Sequence, residues 1–93
     1  MVAKVGSTVR LPCWINATTV HWDNYGRANP TVYDGSRVIG PLRARYSVET
    51  NGDQQHSLVI SNITVTDAGN YSCYNHSNSP EDVLLLLVLT SKF

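Results

Sequence analysis

Apolar residues in this chain recur at every second position over short runs, and Gly, Pro, Asn and Asp break the runs apart. From Thr8 to Ile15 the positions Val9, Leu11, Cys13 and Ile15 share one face of an extended segment, and from Thr19 to Asn24 Val20 and Trp22 do the same. That alternation sends His21 and Asp23 to the opposite surface. Gln55 to Ile60 repeats the pattern with Leu58 and Ile60. No helical period, internal repeat or low-complexity tract interrupts it, so every predicted element is a strand.

The remaining segments follow from their punctuation. Val2 to Val5 is a short strand ending at Gly6-Ser7, and Gly26 to Pro30 reads as a turn. Thr31-Val32-Tyr33 and Ser36 to Ile39 flank Asp34-Gly35, a hairpin signal, and Leu42 to Glu49 runs into the turn Asn51-Gly52. Ser61 to Gly69 forms a corner, Asn70 to Tyr74 a strand, and Glu81 to Thr90 the closing strand. The closing strand departs from the rule of the others. Val83, Leu85, Leu87 and Leu89 fall on one face while Leu84, Leu86 and Val88 fall on the other, so whichever set faces outward is aliphatic. Contiguous apolar surface of this kind marks a partner site or a surface covered by a neighbouring domain. The pattern does not tell which set faces outward.

These runs carry the marks of a known family. The set Cys13, Trp22 and Cys73, closed by Asp67-Ala68-Gly69-Asn70-Tyr71-Ser72-Cys73, resembles the immunoglobulin superfamily, and specifically its V-set. Gly6 to Cys13 is similar to the entry of strand B, Arg45-Tyr46-Ser47 to the start of strand D, and Leu58 to Ile63 to strand E with its corner. The resemblance implies an all-β fold, a two-sheet antiparallel sandwich with C′ and C″ strands, spanning residues 1–93 as one domain. It implies a Cys13–Cys73 disulfide packed under Trp22, which in the loop-entropy model contributes about 4 kcal/mol. It also implies a corner tyrosine at Tyr71 and an Arg45–Asp67 pair. These are fold residues rather than functional ones.

Composition narrows the function. Lysine plus arginine and aspartate plus glutamate stand at seven each among 93 residues, with no basic stripe, which argues against nucleic acid and anionic lipid as partners. The longest apolar run, Val83 to Leu89, is far shorter than the roughly 20 residues a membrane helix needs, so this segment is not expected to insert in a membrane. A paired cysteine set implies an oxidising compartment, so the chain is expected to be extracellular, secreted or part of an ectodomain, with any anchor or signal peptide outside this segment. Sequons at Asn16, Asn62, Asn70 and Asn75 fit that compartment and are the expected glycosylation sites.

The histidines His21, His56 and His76 accompany no nucleophile motif, phosphate loop or acid pair, so no enzyme activity and no cofactor are expected. His21, Asp23 and His76 imitate a metal site only loosely, and no metal is expected there. The loops after Cys13 and between Tyr74 and Glu81 are short, which disfavours the antigen-receptor mode of binding by end loops. The expected function is recognition or adhesion through the GFCC′ sheet face, with another V-type domain or a second copy of this chain as partner. The residues assigned to that contact are His21, Tyr33 and Tyr74 with Leu84, Leu85 and Leu86. Two alternatives stay open: ligand or glycan binding by the end loops, and a structural spacer whose apolar strand is covered by a neighbour.

Overall fold

A computed structural model describes residues 1–52, 55–75 and 82–90 of the chain. Eight strands form in order: β1 Val2–Lys4, β2 Val9–Leu11, β3 His21–Asn24, β4 Thr31–Tyr33, β5 Tyr46–Thr50, β6 His56–Ile60, β7 Gly69–Tyr74 and β8 Asp82–Leu89. They assemble into a five-stranded sheet ordered β1-β8-β7-β3-β4 and a three-stranded sheet ordered β2-β6-β5. Every pairing is antiparallel except that of β1 with β8, which is parallel.

The inward positions of both sheets meet in one core: Leu11, Cys13, Val20, Trp22, Val32, Leu58, Ile60, Ile63, Tyr71, Cys73 and Leu86 are all buried. Cys13 and Cys73 are bonded across the sheets with their Cα atoms 6.2 Å apart. Trp22 lies directly opposite Cys73 on the neighbouring strand and is fully buried. The staple and its aromatic cover thus sit at the centre of the sandwich, where the alternation of β3 and β7 directs both side chains.

Several elements are shorter than their sequence patterns suggest. Pro12 has no N–H to give the ladder, so β2 ends at Leu11, although Cys13 and Ile15 stay inward and His56 N–H still bonds Cys13 O at 2.9 Å. The run from Leu42 to Glu49 opens instead with a 3-10 turn at Gly40–Leu42 with Pro41 inside it, and β5 begins only at Tyr46. The C′ strand forms as β4, whereas the following Ser36 to Ile39 contributes a single bridge, Tyr33↔Val38. The Asp34 carboxylate explains that contraction by accepting the Ser36 and Arg37 N–H groups, both at 2.9 Å, which bends the chain tightly around Gly35.

The corner before β7 is held by one carboxylate. Asp67 accepts two hydrogen bonds from the Arg45 guanidinium, at 2.7 and 3.0 Å, a third from Tyr46 Oη, and a fourth from Thr64 N–H at 2.8 Å. Tyr71 Oη donates to the Asp67 carbonyl oxygen, which makes it the corner tyrosine. Gly69 follows at φ +144°, and a Cβ there would stand 2.5 Å from Asn24 Oδ1. The corner therefore requires glycine both for its backbone and for its space.

Burial pushes the Asp67 carboxyl upward, but the hydrogen bonds from Arg45, Tyr46 and Thr64 and the guanidinium charge outweigh it and hold the group below its ordinary 3.8. The unfolded chain therefore binds this proton more readily than the folded one. The stabilisation is present above about pH 4 and is lost as pH falls through the folded value. Asp67→Ala is expected to cost about 2 to 4 kcal/mol at pH 7, because it strands a half-buried guanidinium. It should also flatten the stability profile below about pH 4, both readable in urea titrations across pH. A loss under about 0.5 kcal/mol would mean that the pair behaves as a solvent-exposed one.

Candidate functional site

The face of interest is built from β7 outward. With Tyr71 and Cys73 buried, Asn70, Ser72 and Tyr74 turn to the outer side of the five-stranded sheet. Strand β8 pairs in the register Gly69↔Leu86, Asn70↔Leu85, Tyr71↔Leu84 and Ser72↔Val83. Directly opposed residues share a face, so the register decides the parity that the sequence left open. Leu86 is fully buried, and Leu84 and Val88 pack against the core. Val83, Leu85, Leu87 and Leu89 point outward and are 57, 48, 48 and 52% exposed. Leu84 and Leu86 thus belong to the interior and leave the contact set, and Leu85 keeps its place.

The stripe broadens at the sheet edge. In β1, Val2 lies beside Leu87 and Lys4 beside Leu89 in parallel register, and both side chains are exposed. On the other side, alternation beyond the end of β3 brings the exposed Tyr25 next to Asn70, whose carbonyl oxygen accepts the Tyr25 N–H at 3.0 Å. Val2 and Tyr25 were not singled out from the sequence. Tyr25 was legible there, since it continues the His21, Asp23 parity. Val2 was not, since its side depends on a parallel pairing that no local pattern announces.

His21 and Tyr74 are opposed in register and their rings stack, with centroids 5.2 Å apart and planes 18° from parallel. The imidazole lies over the β4 hairpin, where a Cβ on Gly35 would come within 3.2 Å of His21 Nε2. Tyr33, half-buried, packs partly against the core and borders this end of the face. Backbone N–H groups of Arg37 and Ser36 hold the nearby Asp34 carboxyl below its ordinary 3.8, and the Arg37 and His21 charges add to this. His21, Tyr74 and Leu85 therefore share one side of the five-stranded sheet, with the aromatic pair at one end and the aliphatic stripe along β8, whereas Tyr33 stands opposite the inward Trp22 across a β-bulge and packs against the core, so the register does not set it on this face.

Asp23 differs from expectation. Although its parity is outward, it is only 8% exposed, closed in between β7 and β4, and its Oδ1 has no hydrogen-bond partner among the described residues. His76, expected near it, lies outside the described residues, as does the short connection from His76 to Pro80. Among the described residues no group of three or more metal-ligating side chains gathers.

The three-stranded sheet presents a different surface. Arg10 and Glu49 form an ion pair at 2.7 Å with both side chains more than half exposed, a geometry worth at most about 1 kcal/mol. They border a shallow depression completed by Thr50, Asn51, Gln55 and Ser57. Trp14 is exposed, next to the inward Cys13. The sequon asparagines are spread over the molecule. Asn16 is exposed beyond β2, Asn62 is exposed at the corner with φ +50°, and Asn75 spends a side-chain N–H on Thr19 O at 2.8 Å. Asn70 is exposed on the outer face itself.

Leu85→Glu should change stability by no more than about 0.5 kcal/mol, because the new carboxylate stays in water. Leu86→Glu removes a packed leucine and buries an unpaired charge, so most of the ~5 to 15 kcal/mol of a small domain is expected to go. Thermal unfolding of the two variants checks the parity. Equal losses, or the reverse order, would overturn it.

Comparison with known proteins agrees with this architecture. A family model described as "Immunoglobulin domain" matches residues 1–84. Among solved structures, the chain is similar to the ZIG-8 IG1 homodimer at 19% identity and TM-score 0.80, covering 96% of this chain and 77% of that one. The second Ig domain from mouse polymeric immunoglobulin receptor matches at 20% identity and TM-score 0.80, covering 99% and 96%. Dpr11 IG1 bound to DIP-gamma IG+IG2 matches at 24% identity and TM-score 0.78, covering 96% and 46%. At these identities the likeness concerns the fold. A comparison with curated protein sequences finds no match.

Proposed function

This chain belongs to the immunoglobulin-domain family, and on that premise we propose that it is an extracellular recognition domain that pairs with a second copy of itself through the outer face of its five-stranded sheet. The observation that carries the proposal is the stripe of Val83, Leu85, Leu87 and Leu89, exposed along β8 and flanked by Val2. A sheet face left to water alternates apolar with polar, and this strand is aliphatic from Val83 to Leu89. The opposite sheet carries its ion pair and polar depression instead.

The β8 side chains from Val83 to Leu89 carry no charge, with Lys4 beside Leu89 at the sheet edge. An aliphatic row asks for no complementary charge, and a two-fold axis across it sets each row against its counterpart. Covering on the order of 300 Å² of such surface contributes about 7 kcal/mol before association costs are subtracted. The aromatic end, His21 stacked on Tyr74, supplies large side chains of low conformational freedom at the rim of the same face. Two of the similar structures are IG1 domains joined to other Ig domains, the ZIG-8 homodimer and the ZIG-8–RIG-5 heterodimer, which supports a domain-to-domain role for this fold. The bonded cysteines support an oxidising, extracellular compartment.

Sedimentation of the unglycosylated chain over a range of concentrations tests the proposal. The parent is expected to form a dimer, and Leu85→Glu, which sets two carboxylates into the contact, should weaken it at least about 100-fold while the chain stays folded. Trp14→Glu, beyond the end of β2, should dimerise like the parent. A parent that stays monomeric at every concentration would move the stripe to the role of a surface covered by an adjoining domain.

A further inference from the structure

Asn70 places a sequon, Asn70-Tyr71-Ser72, in the middle of the recognition face, and we propose that an N-linked glycan on Asn70 gates self-association: chains that carry it are monomers, and chains that lack it pair. The inference rests on the recognition-face reading above. Asn70 stands directly opposite Leu85 across the β7–β8 ladder, about 5 Å away, and it is exposed beside Tyr25 on its other flank. A branched oligosaccharide is far wider than one strand spacing. Rooted there, it covers Leu85 and the neighbouring aliphatic side chains, hides apolar surface from water and blocks the approach of a second sheet.

The other sequons do not share this position. Asn16 lies past the end of β2, Asn62 at the corner that carries Asp67, and Asn75 is tied to Thr19 O beyond the last residue of β7. None of them stands opposite a residue of the stripe in the β7–β8 ladder. The sequon is also readable only before folding. Tyr71 and Ser72 are fully buried in the folded domain, so the transfer takes place on the extended nascent chain and is permanent once the sheet closes. In that step Asn70 Nδ2 forms a bond to the anomeric carbon of a lipid-diphosphate-linked oligosaccharide. The sugar–diphosphate bond breaks, its electron pair leaves with the diphosphate lipid, and one amide proton passes to solvent. Nothing is oxidised or reduced.

The test uses the chain secreted from cells that glycosylate, the Asn70→Gln variant from the same cells, and the chain refolded from bacteria without sugar. Glycopeptide mass spectrometry reads occupancy at Asn70, and sedimentation reads association. Occupied chains are expected to remain monomeric at concentrations where Asn70→Gln and the bacterial chain are dimeric, a difference of at least about 100-fold in dissociation constant. Finding Asn70 bare in all secreted chains overturns the gate, as does an occupied chain that dimerises within about threefold of Asn70→Gln. Either result leaves the recognition face standing if the bacterial chain dimerises and Leu85→Glu abolishes that dimer. A bacterial chain that never dimerises overturns both.

Discussion

The inward pointing of Tyr71 and Cys73 is the constraint on which the rest of this molecule depends. Cys73 must meet Cys13 across the sandwich, and Tyr71 must reach back to the Asp67 carbonyl oxygen. With two alternate positions of β7 pinned inward, the strand has no freedom to slip, because a shift of one residue would exchange its faces. The ladder passes that choice to β8, setting Leu84 and Leu86 inside and Leu85 outside, and β8 passes it to Val2 on β1. An exposed aliphatic stripe is thus the consequence of fold residues that take no part in any contact themselves.

Asp67 anchors the same constraint from below. Its carboxylate ties Arg45 and Tyr46 at the start of β5 to the turn before β7, and so joins the two sheets at this corner. The molecule divides its work accordingly. Charged, hydrogen-bonded groups secure the corner, and the outward side chains of β8 from Val83 to Leu89 are aliphatic. That separation permits substitutions along Val83, Leu85, Leu87 and Leu89 without loss of the fold.

Much of this was legible in the sequence. The Cys13, Trp22, Cys73 set, the corner from Asp67 to Cys73 and the Arg45–Asp67 pair all stand where the motif implies, because each is defined by local spacing and by a chemical need that only one residue type meets. The parity of β8 was not legible, since a strand apolar on both faces carries no period to read. Leu84 and Leu86 were included in the contact for that reason and proved to be core. The contracted C″ segment escaped notice because Asp34 competes for the N–H groups of Ser36 and Arg37 through its side chain. Asp23 looked exposed because alternation gives direction and says nothing of how closely β4 and β7 crowd a short side chain.

The central claim is that the exposed β8 stripe is the surface by which this domain meets its copy. Methyl resonances followed by NMR through a dilution series of the unglycosylated chain address it residue by residue. The account predicts concentration-dependent shifts at the methyls of Val83, Leu85, Leu87, Leu89 and Val2, with those of Leu58, Ile60 and Leu86 unmoved. Shifts gathered around Trp14 and Arg10, or none anywhere up to millimolar concentration, would contradict it.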